Sequence, residues 1–209
     1  MIKIPLFPLN LVLFPNSKLP LHIFEERYKA MISSCMENKE PFGINLMSGS
    51  NISFIGCTAA VKEKVNELSN GEMDIIVEGK HRYELKNYNL SPAGYFTGEI
   101  EYLETDISYE KSDFLKAVDC YNKLIEAAYK GTLGKINPDD LKWIDGSESC
   151  SFFMAQKCGL NLQERQKILE IDSEQERLQY LLKYYDAVMP KVMEADRITQ
   201  IIQSDGYLQ

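Results

Sequence analysis

In the first half of this 209-residue chain the apolar positions recur every second residue. Phe42, Ile44 and Leu46 alternate with Gly43, Asn45 and Met47, and Phe96, Gly98, Ile100 and Tyr102 alternate with Thr97, Glu99 and Glu101. Period two sends successive side chains to opposite faces, so both stretches read as strands. Ile55, Cys57, Ala59 and Val61 share one side of 52–65, and the LSNG turn at 68–71 joins that stretch to 73–85 as a hairpin. One helix is predicted among the strands, Glu25 to Asn38. There Phe24, Tyr28, Met31, Ile32 and Cys35 fall three and four apart, and Glu25 and Lys29 are placed to pair on the wet side.

Beyond Ser112 the period is that of a helix. Ser112 is a candidate cap for Phe114, Val118, Tyr121, Ile125 and Ala128, with Gly131 as the stop. A second helix is predicted from near Ser147 to Cys158, ended by Gly159. Asn161 with Glu164 and Ser173 with Glu176 have capping-box spacing and open a third and a fourth. The fourth is the longest; its stripe is Leu178, Leu181, Leu182, Tyr185, Val188, Met189 and Val192, and Pro190 should kink or end it. Strands followed by helices give an α+β chain, a curled sheet and then a helical bundle. The charged step at 105–111 divides it into 1–108 and 109–209.

One strand breaks its own pattern. On strict alternation Met73, Ile75, Val77, Gly79, His81, Tyr83 and Leu85 face inward. A glycine there fills no core volume, so Gly79 predicts a bulge or sharp coil that bends the strand. A bulge shifts the alternation after it, which leaves the facing of His81, Arg82 and Tyr83 open.

Composition narrows the function classes. A net charge of −8 and a pI near 4.9 oppose nucleic acid as a partner. Five cysteines, odd in number and without a C-x-x-C pair, argue against a disulfide framework or a zinc knuckle. Two histidines far apart leave too few ligands for a metal site, and no cofactor is expected. Pro5, Pro8, Pro15 and Pro20 cut the apolar N-terminus, which has no small-residue cleavage motif and so does not read as a signal peptide. No apolar run is long enough to span a bilayer. The expected location is the cytoplasm, away from membranes.

Three motifs carry a resemblance: L-F-P-L-x-L-V-L-F-P at 6–15, L-P-L-H-I-F-E-E-R-Y at 19–28, and G-E-M-D-I-I-V-E-G-K-H-R-Y at 71–83. In this order they resemble the N-terminal substrate-binding domain of Lon proteases, and Q-E-R-Q-K-I-L-E at 163–170 with E-R-L-Q-Y-L-L at 176–182 resembles the helical part that follows there. The resemblance implies a PUA-like β-barrel or curled antiparallel sheet, then a helical bundle, and a role in recognising unfolded or tagged polypeptide. The family's full-length proteases continue into ATPase and serine–lysine peptidase modules. Here no G-x-x-x-x-G-K-[ST] loop occurs, and G-T-L-G-K-I at 131–136 has two residues where the phosphate cradle needs four. The chain therefore resembles the free-standing members, non-catalytic, with polypeptide segments or a protease or chaperone as partner. Asn16 and Ser17 stand where a glycine often follows F-P.

Candidate residues follow. Leu6, Phe7, Leu9, Leu11 and Leu13, with Phe152, Phe153 and Met154, are apolar walls that could receive an unfolded segment. Phe24, Glu25, Arg27, Tyr28, Gly79, Arg82 and Tyr83 match family motifs and read as architecture, the Glu25–Arg27 pair as a pin at a helix start. The rival classes are a small-molecule hydrolase or ligand sensor using a barrel cleft, and a PUA-like RNA binder, the latter opposed by the charge.

Overall fold

A computed structural model describes residues 1–130, 134–144 and 148–204. In chain order its elements are β1 (Ile2–Leu6), β2 (Lys18–Ile23), α1 (Glu26–Asn38), β3 (Phe42–Ser48), β4 (Asn51–Glu67), β5 (Met73–Leu90), β6 (Phe96–Tyr102), α2 (Lys111–Tyr129), α3 (Leu141–Ile144), α4 (Cys150–Lys157), α5 (Leu162–Glu170) and α6 (Glu174–Ser204). They form two compact units: a sheet unit of 1–105 with 160–172, and a helical unit of 106–159 with 173 onward. The return of α5 to the sheet unit has a packing cause: Ile168 and Leu169 are buried there, and Gln166 Nε2 donates to the Ile55 carbonyl on β4 (3.1 Å).

The sheet unit is a six-stranded sheet in the order β2-β5-β4-β3-β1-β6, and β6 also pairs with the distal half of β5, which curls the sheet back on itself. It is mixed rather than wholly antiparallel, because Leu6 of β1 pairs in parallel with Gly43 of β3. A parallel pair needs a crossover, and the chain between them, carrying β2 and α1, supplies it. The predicted hairpin is β4–β5, longer at both ends than the alternation indicated. β1 and β2 were masked by their prolines. Pro20 is tolerated because β2 is the end strand of the sheet, where one side of the strand has no ladder to complete.

Gly79 does bend β5, and it does something else as well. Ala59 pairs with Gly79 and Cys57 with Arg82, so β5 carries one extra residue between those rungs. A Cβ at Gly79 would overlap the Phe14 carbonyl oxygen. The glycine admits the Phe14–Ser17 turn against the strand, where Gly79 N–H donates to the Ser17 carbonyl and Asn16 N–H to the Gly79 carbonyl (2.9 Å each). Asn16 takes the left-handed conformation there (φ 61°), a role asparagine fills more readily than most residues. After the bulge Lys80 and His81 are exposed, Tyr83 and Leu85 face inward, and Arg82 is buried on the opposite face.

In the helical unit α2 and α6 run in the same direction, since Asp113 near the start of α2 accepts from Gln175 near the start of α6 (2.6 Å). Phe114, Ala117, Val118, Tyr121, Leu124 and Ile125 of α2 and Leu178, Leu181, Leu182 and Tyr185 of α6 are buried. Each of the larger of these side chains contributes about 2 kcal/mol of apolar burial. Ala128, placed in this stripe by spacing, is exposed.

The helix ends follow local chemistry. Ser112 is not the cap of α2: the helix starts one residue earlier, and Gln175 Oε1 accepts from the Glu110 N–H at its entry (2.7 Å). The predicted stop at Gly131 lies outside the described residues, as does Ser147; Lys130 closes α2 in the left-handed conformation and Ser149 caps α4. Gly159 ends α4 at φ 89°, and the Asn161–Glu164 capping box is complete. Ser173 Oγ accepts from the Glu176 N–H (3.4 Å) as predicted. Pro190 lies inside α6 and does not end it, because the helix runs on to Ser204. The short α3 carries no periodic signal of its own. Among the described residues no helix is long and apolar enough to cross a membrane.

Candidate functional site

The apolar start of the chain goes mostly into the sheet unit. Leu6, Phe7 and Leu13 are buried, with the Phe7 ring 4.1 Å from that of Tyr28. The segment is stitched alongside β3, where Leu9 N–H donates to the Asn45 carbonyl (3.0 Å) and Met47 N–H to the Leu9 carbonyl (2.8 Å). Only Leu9 and Leu11 of this group remain half-buried. In the helical unit Phe152 and Met154 are core residues, and Phe153 is half-buried between Tyr121, Trp143 and the Lys157 ammonium, which sits 4.3 Å from its ring centre. Of the eight apolar candidates, Leu6, Phe7, Leu13, Phe152 and Met154 thus supply core volume, which takes them out of reach of a docking chain.

The motif residues are placed differently. Phe24 is 59% exposed and stacks on His22 (ring centres 5.9 Å, 22°). Glu25 makes no cap bond to α1; it accepts from Arg27 Nε (2.9 Å) and Nη2 (2.8 Å), and Arg27 Nη1 donates to the Gly94 carbonyl (3.2 Å) in the β5–β6 turn. Lys29 pairs with Glu26, not Glu25 (2.5 Å). Tyr28 is buried beneath this pin. Tyr83 stands inside the curl and donates to Asn45 Oδ1, while Asn45 Nδ2 donates to the Ser53 carbonyl (3.0 Å). A Cβ at Gly56 would lie 2.7 Å from the Tyr83 ring, so the glycine makes the room this tyrosine occupies. Arg82 is buried on the outer face among backbone carbonyls.

Several nucleophilic side chains are buried or tied up in hydrogen bonds. Burial pushes the Cys57 thiol up to about 12 and the Cys35 thiol up to about 11, and it also raises Cys150, so none is a ready thiolate near neutral pH. Ser149 and Ser151 lie beside Glu174 and Arg177 but spend their hydroxyls structurally. Glu174 Oε2 accepts from Ser149 Oγ (2.6 Å), Ser151 Oγ (2.8 Å) and Arg177 Nη2 (2.8 Å), and Oε1 accepts from the Ser151 N–H (2.9 Å). This carboxylate sits at the N-terminus of α4, where it satisfies orphan donors and faces the positive end of the helix. Both histidines are exposed on the sheet unit. Among the described residues no group of three or more His, Cys, Asp or Glu is arranged to hold a metal ion.

An open groove belongs to the helical unit. A groove of about 790 Å³ runs between α2 and α6, lined by Ala127, Met189 and Met193 with Lys123, Lys130 and Asp196 among its polar rim. Its walls are predominantly apolar. Met189 and Met193 are one helical turn apart, so their flexible thioethers lie on the same face of α6. Such side chains repack against varied apolar shapes, a property of promiscuous binding surfaces. Sequence reading assigned Met189 to the core stripe and passed over Met193. The available signal was this spacing on a helix whose flanks had become charged, at Lys191, Glu194 and Asp196.

Comparison with known proteins fits these observations. Residues 3–186 match the family model of the ATP-dependent protease La (LON) substrate-binding domain. A Lon protease of Buchnera aphidicola is 27% identical over 209 residues, an alignment covering 94% of this chain and 26% of that protein. One of Brevibacillus choshinensis is 28% identical over 86% of this chain and 24% of its own length. The chain thus spans about a quarter of the length of these relatives. Among solved structures, a Lon N-terminal domain protein from Xanthomonas campestris superposes with a TM-score of 0.68 at 22% identity, covering 88% of this chain and 99% of that one. The N-terminal domain of a Mycobacterium avium complex Lon protease gives 0.61 at 14% identity. With the curled mixed sheet, the helices that follow it and a family match over most of its length, this chain belongs to the Lon protease substrate-binding domain family.

Proposed function

We propose that this protein binds unfolded polypeptide segments without catalysing a reaction on them, and that the α2–α6 groove receives their apolar side chains. Membership of a substrate-binding family supports the binding role. The observation that carries the location is the methionine pair lining an apolar groove, Met193 exposed and Met189 half-buried, in a protein whose other apolar clusters are mostly packed away. The proposed setting is the cytoplasm, delivering or holding segments for a protease or chaperone partner. A net charge of −8 disfavours nucleic acid in the same role.

Binding to a fluorescently labelled, reduced and carboxymethylated protein, followed by anisotropy, tests this reading. A saturable rise that persists at high salt is expected, because burial of apolar surface is not screened by ions. A flat titration overturns the binding role. A rise abolished by salt overturns the apolar groove as its basis.

A further inference from the structure

Two of the places where the chain leaves the sheet unit converge on one guanidinium. The chain passes out after Thr105 and again after Asp172. Arg82 Nη2 donates to the Glu104 carbonyl (2.9 Å), Thr105 Oγ1 (3.3 Å) and Asp172 Oδ1 (2.8 Å). Its Nη1 donates to the carbonyls of Leu169 (2.9 Å) and Ile171 (3.1 Å). The last two lie at the C-terminal end of α5, where carbonyls lack helical partners and carry partial negative charge. Within the helical unit the next residues again run side by side: Asp106 and Ser173 form a parallel bridge, and Glu174 N–H donates to the Asp106 carbonyl (2.8 Å).

Leu169 is buried and anchors the end of α5, but burial does not explain the order of the other exit residues. Glu104 and Asp172 are exposed, and Thr105 and Ile171 are only half-buried. The Arg82 side chain, by contrast, is 1% exposed, and a buried cation without its acceptors is strongly unfavourable. Guanidinium geometry suits the task, because its planar fork carries four donors spread over Nη1 and Nη2, whereas an ammonium carries three on a single nitrogen.

We infer that Arg82 is a clasp: from its place on β5 it holds the two exit segments, 104–105 and 169–172, as one body, and their order depends on this side chain more than on the apolar core. The clasp is a conformational device of the fold and is independent of where polypeptide binds.

Hydrogen exchange on the full chain tests it. In Arg82→Lys, which keeps a charge but loses the fork, amides of 104–106 and 169–173 should exchange about tenfold faster, as expected for losing charge-assisted bonds. Amides of β5 at 75–77 and of α2 at 117–125 should keep their rates. Unchanged exchange at both exits overturns the clasp, as does acceleration of one exit alone or a uniform acceleration of the whole sheet unit. Should Arg82→Lys fail to fold, the Thr105→Val, Asp172→Ala double variant decides. It removes the two side-chain acceptors and leaves the three carbonyls, so about threefold acceleration at both exits supports the clasp and none refutes it.

Discussion

The interior of the curled sheet and the α2–α6 groove treat contact in opposite ways. Inside the sheet, close approach is obtained by deleting side chains: Gly79 admits the Phe14 turn, and Gly56 makes room for Tyr83. In the groove, Met189 and Met193 leave space with flexible side chains around it. A close-packed interior tolerates one arrangement, whereas a methionine-lined groove tolerates many. The three N-terminal family motifs all lie in the sheet unit. Their work in this chain is to build a scaffold, and the adaptable surface lies on helices that the N-terminal motifs do not include.

The sharpest way to break this contrast is to add one methyl group in the sheet. Gly79→Ala drives a Cβ into a backbone oxygen that cannot swing away and should cost about 3 kcal/mol or more. Gly49→Ala has open space around it and meets only the strain of a left-handed φ of 62°, so about 1 kcal/mol is expected. Urea unfolding separates the two, and equal losses would mean that the close approach at Gly79 contributes nothing. In the groove the expectation reverses. Met189→Gln with Met193→Gln preserves helix propensity and should leave the unfolding midpoint nearly unchanged while weakening polypeptide binding about tenfold. Next in size is Tyr83→Phe, which leaves Asn45 Oδ1 buried without its donor and should cost about 1–2 kcal/mol.

The remaining expected effects depend on pH. Hydrogen bonds from Lys80 and then Lys62 hold the Glu78 carboxyl below its ordinary value of 4.5. A depressed carboxyl stabilises the fold above its unfolded pKa, and that contribution is lost as pH falls through the folded value. Glu78→Gln should therefore slightly flatten the acid limb of stability below about pH 4.5, measured by denaturation at stepped pH. At the alkaline end the sign is opposite. The Cys57 thiol stays protonated in the fold up to about 12 but ionises near 9 when the chain unfolds. Stability should fall as pH rises between those values, and Cys57 should resist alkylation at pH 8 until the chain is unfolded.

How far the sequence anticipated this depended on the range of the interaction involved. The β4–β5 hairpin, α1, the Asn161 capping box and the Gly159 stop were readable because each is set by residues a few positions apart. β1 and β2 were not, since Pro5 and Pro20 suppress a strand reading that only their places in the sheet restore. The return of α5 to the sheet unit was also hidden, as it depends on Arg82 and on Gln166, which reaches across to Ile55. For the site, apolar character marked Leu6, Phe7, Leu13, Phe152 and Met154, but burial alone distinguishes a core wall from a docking wall, and periodicity does not report it. Met193 stands on the open side of that distinction at 52% exposure.

Methionine methyl NMR addresses the central claim directly, because the eight methionines are spread over both units. With an unfolded polypeptide titrated into the full chain, the Met189 and Met193 methyls should shift saturably, while the buried Met31, Met73 and Met154 stay in place. Saturable binding that moves Met36 or Met47 and leaves Met189 and Met193 unmoved would contradict the assignment of binding to the α2–α6 groove.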